Sequence, residues 1–257
     1  MNILMLYGKN SKKKEKLLNI NNFFNNIPEI LKPWFPDDKP VWFILDNISE
    51  AIKKIYDNNR DNYIVIKENV FADKTAIFDE CVKIKGPAII GKNCEIRHGA
   101  FLRENVIICD NCVIGNSTEI KNSVLFNNVE VPHYNYIGDS ILGNYVHLGA
   151  GAKISNVLLI KNKKEKIEEL QKISAEGKIH LEHKKVMIKM PNGSWVSTER
   201  KKFGAIIGDY AEIGVNTTLN PGTLLEMDIF VPSSVSIGGY FKKSYVFPKN
   251  IIYGSDV

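Results

Sequence analysis

The chain has 257 residues, 44% of them hydrophobic and 25% charged, with a formal net charge of +5. This composition fits an ordinary soluble protein able to bury a core. No apolar run approaches the roughly 20 residues that cross a bilayer, which speaks against a membrane role and leaves the cytoplasm as the default location. The charge is spread, and no basic and aromatic cluster of a nucleic-acid module occurs, so a small anionic substrate is expected rather than nucleic acid.

Residues 1–65 form a region of their own, without internal repeat. MNILMLYGKN is too short in apolar residues for a secretory signal, and Lys12–Lys14 reads as a solvated run. Residues 31–40 are proline-broken and aromatic, as expected of a coil laid over an apolar surface. Asp46 to Asn59 is predicted to be helical, with Asn47 or Ser49 as cap and Ile52, Ile55 and Tyr56 on one face. The whole region is expected to cap the first coil of the repetitive part of the chain.

From Ile66 every sixth residue is apolar: Ala72, Phe78, Ile84, Ile90, Ile96, Leu102, Ile108, Ile114, Ile120 and Phe126 continue the series. Four residues after each comes a smaller one, among them Val70, Ala76, Val82, Ala88, Cys94, Ala100, Val106, Cys112, Thr118 and Val124. Helices repeat near 3.6 and strands near 2, so a sustained six marks a solenoid of short strands. The first stretch of this solenoid covers 66–158. Within it the count slips by about one residue around 131–141 and resumes at Leu142, Leu148 and Ile154. Cys94 and Cys112 fall in the inward series as packed thiols. Together with Cys81 and Cys109 they lack zinc-ligand spacing, and no metal is expected.

Residues 159–202 break the repeat. Asn162 to Glu176 is predicted to be a charged helix stopped by Gly177, followed by a hairpin around Pro191-Asn-Gly-Ser, the two forming a projecting arm. His180 and His183 are metal-ligating residue types three apart, but no metal site is expected there. Residues 203–257 return to the six-count at Ile207, Ile213, Leu219, Leu225, Val231 and Ile237, and an aromatic tail from 241 is placed at the far end.

If three hexads make one triangular coil, residues 18 apart stack about 4.8 Å from one another. Lys67, Lys85, Arg103 and Lys121 then share a column. Such a column is either a solvated face relieved by acids such as Glu68 and Glu104, or a stripe for phosphate, strongest at Arg103 and Lys121. His133 lies inside the register break beside Tyr134 and Tyr136. A lone histidine is often structural, but an imidazole at a break in the winding can also serve as a general base at neutral pH.

The stretch EIKNSVLFNNVEVPHYNYIGDSILGNYVHLGAGAKISN, residues 119–156, resembles the acetyltransferase domain of the bifunctional N-acetylglucosamine-1-phosphate uridyltransferase/glucosamine-1-phosphate acetyltransferases, hexapeptide-repeat transferases. Archaeal-type sugar-1-phosphate nucleotidylyltransferases carry a similar domain. The resemblance covers roughly 84–240 apart from the arm. It implies an all-β, left-handed parallel β-helix, a homotrimer with sites between neighbouring solenoids, and acetyl-coenzyme A (acetyl-CoA) as cosubstrate. By the same resemblance His133 is the catalytic base, and Asn156 lies near the acetyl group. Arg103, Lys121, Tyr136, His147 and Lys202 contact the amino sugar phosphate, and Ala150, Asn156 and Val157 lie along the coenzyme. His147 replaces a sugar-contacting asparagine of the bacterial enzymes, and Val215 replaces a serine near the coenzyme. The implied activity is N-acetylation of an amino sugar 1-phosphate in nucleotide-sugar biosynthesis. The alternatives are a non-catalytic sugar-nucleotide-binding or regulatory trimer related to UDP-N-acetylglucosamine pyrophosphorylases, an acyltransferase on another acceptor, and a scaffolding trimer. Residues 1–65 are too few for a nucleotide-binding sheet and hold no glycine-rich phosphate loop, so pyrophosphorylase activity is not expected of this chain.

Overall fold

A computed structural model of the chain describes residues 19–173 and 181–247. The Lys12–Lys14 run, Gly177, His180 and the tail beyond residue 247 lie outside the described residues. Short strands pair in parallel with their counterparts one coil on, and three sheets form the sides of a left-handed parallel β-helix. Sheet I has nine strands, the first being Tyr63–Lys67 and the last Tyr240–Phe241. Sheet II has seven, from Ile77–Phe78 to Phe230–Val231, and sheet III seven, from Lys83–Ile84 to Ser236–Ile237.

The inner core is the stack foreseen from the hexads, with Cys94, Ile96, Ala100, Leu102, Val106, Ile108, Cys112 and Ile114 among its buried members. Each hexad turns one large and one small side chain inward, so large residues of successive coils pack over each other in the prism. Burying one such isoleucine or leucine contributes roughly 1.5–3 kcal/mol. Many corners between sheets place a residue at positive φ, often asparagine as at Asn93, Asn105, Asn111, Asn122 and Asn128, where its short polar side chain tolerates the left-handed region. At the far end Phe241 and Phe247 pack against this core.

Several expectations need correction. Ile66 is not the first inward residue: it is exposed in Tyr63–Lys67, a strand antiparallel to Val70–Asp73, and the inward series starts with Val70 and Ala72. Lys67 accordingly leaves the basic column and donates from its Nζ to the Ile84 carbonyl. The register slip does not lie at 131–141 as a single event. Ile120 is followed inward by Leu125, and Ile137 by Leu142, so two five-residue edges occur, both at the corner from sheet III to sheet I. Strand partners across this region are 17 apart, as in Glu119 with Tyr136 and Tyr136 with Lys153, whereas Phe101 and Glu119 are 18 apart. Val124 and Phe126 are apolar for a different reason: they point outward and are covered.

What covers them is the segment 19–62, which packs against the side of the solenoid and not over its first coil. It lies along the outer face of sheet I. Phe23, Phe24, Leu31, Trp34, Phe35, Trp42, Ile44 and Leu45, with Ile48, Ile52 and Ile55 of helix α1 (Ile48–Asn58), form a second core with Ile89, Ile107, Val124, Phe126, Ile141, Ile206 and Leu224. Asp209 pins the segment by accepting from the Asn25 amide at 2.8 Å and from the Asn144 amide at 2.7 Å. Helix α2 (Lys163–Ile173) is the charged helix expected in the arm. The hairpin of Met187–Lys189 and Trp195–Ser197 does not project: Val186, Ile188 and Met190 are buried in the same second core.

Candidate active site

The corner from sheet III to sheet I collects most of the residues singled out from sequence. After the inward residues Leu102 and Ile120 come Arg103 and Lys121, stacked on successive coils. The next residue level with Lys121 is Gly138. A β-carbon at Gly138 would lie 2.7 Å from the Asn156 Nδ2 and 2.9 Å from the Tyr136 hydroxyl, so the column gives way to those two groups at that level. Tyr136 Oη donates to Asn156 Oδ1 at 3.5 Å, the outer limit of a hydrogen bond. Burial first, then Glu119 and Asp139, raises the Tyr136 pKa and keeps its hydroxyl protonated.

Charge in this corner is unbalanced. Arg103 donates from Nη1 to Glu119 Oε1 at 2.9 Å, and its Nε lies 3.6 Å from Glu104. Lys121 is half-buried and Lys202 exposed, and among the described residues neither has a carboxylate within ion-pair distance. Burial first, then Lys202 and Arg103, lowers the Lys121 pKa. Two ammonium groups without an ion-pair partner beside a guanidinium repel one another, an arrangement that an anion would stabilise. Arg103, expected with Lys121 as the strongest part of the phosphate stripe, is thus already engaged by acids. The free charge is on Lys121 and Lys202.

The same corner carries a ladder of side chains one coil apart. Asn105 Nδ2 donates to Asn122 Oδ1 at 3.2 Å, and Asn122 Nδ2 to Asp139 Oδ1 at 2.9 Å. Asn156 Nδ2 donates to Asp139 Oδ2 at 2.6 Å. Asp139 therefore fixes which way the Asn156 amide faces and leaves its oxygen toward Tyr136. Sequence reasoning missed Glu119, Asp139 and Arg200. The available signal for Asp139 was the five-residue spacing from Ile137 to Leu142, which the count placed too broadly.

His133 lies elsewhere, at the corner from sheet II to sheet III, five residues before Gly138, which at about 3.3 Å per residue is at most about 16 Å along the chain. Its corner keeps the regular six from Val131 to Ile137, so no break in the winding surrounds it. The imidazole is exposed and has no hydrogen-bond partner among the described residues. His147 pairs with Glu130 in register, which sets Ala150 one coil from His133, and the Asn216 amide donates to the Ala150 carbonyl at 2.9 Å. His133, Ala150 and Val215 thus form one column. Val215, 43% exposed, and Ala150 leave an open apolar ledge next to the imidazole. His147 points out of sheet II and meets Glu212 at 2.9 Å, apart from the cluster on sheet III. Val157 is half-buried where the chain leaves the solenoid. Within one chain the cations and His133 therefore sit at opposite edges of sheet III.

The family profile described as the GMPPB C-terminal domain matches residues 84–196. A bifunctional protein GlmU of Methanococcus aeolicus is 27% identical over 98% of this chain and 64% of its own length. A bifunctional sugar-1-phosphate nucleotidylyltransferase/acetyltransferase of Sulfurisphaera tokodaii is 31% identical over 76% of this chain and 42% of its own. Over most of its length the chain is similar to these bifunctional nucleotidylyltransferase/acetyltransferases. It spans 42–64% of the length of these two relatives. A crystal structure of a putative acetyltransferase from Bacillus cereus superposes at TM-score 0.32 with 14% identity, covering 66% of this chain and 72% of that one. No helix among the described residues is long and apolar enough to cross a membrane.

Proposed function

We propose that the chain is an acetyl-CoA-dependent N-acetyltransferase acting on an amino sugar 1-phosphate, as a homotrimer. The observation that carries this reading is the pair of unpartnered ammonium groups, Lys121 and Lys202, beside Arg103 and Tyr136 on the coil that bears the transferase motif. The phosphate is held by Lys121 and Lys202, with the Arg103 fork shared between phosphate and Glu119. The sugar lies along sheet III towards the column of His133 and Ala150. Its amine attacks the thioester carbonyl, His133 accepts the proton released as the C–N bond forms, and the C–S bond breaks to free the coenzyme thiol. Acetyl-CoA supplies an activated acyl group. The protein's part is to bring amine and carbonyl together, which accounts for much of the rate of such transfers. Asn156, held by Asp139, sets the acyl end. In a trimer the neighbouring solenoid adds side chains to the exposed face of sheet III, which closes the distance between the two edges of the site.

The test is release of free thiol by the purified chain with acetyl-CoA and glucosamine 1-phosphate or galactosamine 1-phosphate. Binding of UDP-N-acetylglucosamine without thiol release would instead favour a regulatory binder, a reading that the Arg103–Glu119 pair and the His147–Glu212 pair keep open.

A further inference from the structure

Arg200, at the end of the inserted hairpin, touches three separate parts of the molecule. Its Nη1 bonds Asp46 of the N-terminal segment, and its Nη2 lies 3.4 Å from Asp139 Oδ1 in the solenoid corner. Its Nε donates to the Lys202 carbonyl at 3.2 Å. The side chain is only 12% exposed and Asp139's is 5%. The hairpin fixes its backbone, because the Val186 amide donates to the Arg200 carbonyl at 2.8 Å and the Arg200 amide to Thr198 Oγ1 at 3.2 Å. One turn away, Asn122 Nδ2 also donates to the Leu45 carbonyl at 3.3 Å. So the segment 19–62, the arm and the coil meet at one guanidinium, next to the groups proposed to hold the phosphate.

We infer that Arg200, held by Asp46, is a positioning residue of the anion site, through which the N-terminal segment sets the geometry of Lys202 and Asn156. This rests on the function proposed above. Arg200 fixes the backbone from which Lys202 projects, and it neutralises Asp139, the carboxylate that orients Asn156. Planarity matters here, because the guanidinium holds Nε, Nη1 and Nη2 in a fixed fork toward three separate acceptors, whereas an ammonium offers a single nitrogen on a flexible stem. Asp46 is exposed and contributes little packing, so its removal perturbs the guanidinium rather than the core.

Calorimetric titration of the full chain with glucosamine 1-phosphate tests the inference, alongside steady-state kinetics with acetyl-CoA. Asp46→Asn is expected to weaken sugar phosphate binding about tenfold and Arg200→Met by more, each raising KM for the sugar phosphate while leaving that for acetyl-CoA within about twofold. Asp46→Glu should restore binding, and Arg200→Lys should not. Glu50→Gln, which removes the exposed pair of Glu50 with Lys54 on α1, should leave both constants unchanged. If Asp46→Asn binds as tightly as the native chain while Lys121→Gln does not bind, the positioning role is overturned and the proposed site stands. If the native chain itself fails to bind, or Lys121→Gln binds equally well, the proposed site falls and the positioning role with it. Should Arg200→Met fail to fold, Asp46→Asn decides alone.

Discussion

At the scale of single residues, Lys121 is where function and stability oppose each other. Its pKa lies below the ordinary 10.5 because the group is partly buried beside Lys202 and Arg103. A lysine whose folded value is depressed weakens the fold in full at neutral pH, where it is charged both folded and unfolded. That penalty is relieved as pH rises through the depressed value towards the ordinary one. Lys121→Gln is therefore expected to raise the melting temperature of the free protein at pH 7 while abolishing sugar phosphate binding. Scanning calorimetry with and without ligand checks both. In the native chain, affinity for the sugar phosphate should fall on the alkaline side before an ordinary lysine would titrate. His133→Ala is expected to lower the transfer rate by about 10²–10⁴ and leave sugar phosphate affinity nearly unchanged, the pattern of a lost general base. Single-turnover rates and titration of that variant separate the two.

At the scale of elements, the solenoid was plain in the sequence because one physical rule, an inward side chain every sixth residue, acts on every coil. The same rule misled at Val124 and Phe126. Both are apolar and fall on the six-count, but they face the N-terminal segment while Ser123 and Leu125 fill the prism. An apolar residue reports burial and not which side buries it. The basic column was found for Arg103 and Lys121 by the same stacking argument, yet Lys67 belongs to an antiparallel strand that no repeat announces. Arg200 and Asp46 were out of reach, because 154 residues separate them and neither sits in a periodic pattern. Where the N-terminal segment lies also decides what its loss would do. Deleting residues 1–62 would strip the cover from Ile89, Ile107, Val124, Ile141, Ile206 and Leu224 along sheet I, and the shortened chain is expected to aggregate. A segment that merely closed the first coil would leave a soluble solenoid with hydrogen-exchange protection lost only at that end. Trp42→Ala, removing a ring that meets Phe203 edge-on at 5.4 Å, is expected to cost about 3–5 kcal/mol in chemical denaturation.

At the scale of the whole molecule, the three sides of the prism have different fates. Sheet I is covered by the chain's own N-terminal segment and hairpin, and sheets II and III are left to carry the candidate site and any subunit contact. Sedimentation equilibrium should give a particle of three times 29.1 kDa; a monomer at micromolar concentration would leave the two edges of the site on sheet III unjoined. The most direct measurement is free-thiol release by the purified chain supplied with acetyl-CoA and an amino sugar 1-phosphate. Release that requires both substrates and is lost in His133→Ala and Lys121→Gln is the expected result. Tight sugar phosphate binding with no thiol released, or turnover undiminished in His133→Ala, would contradict it.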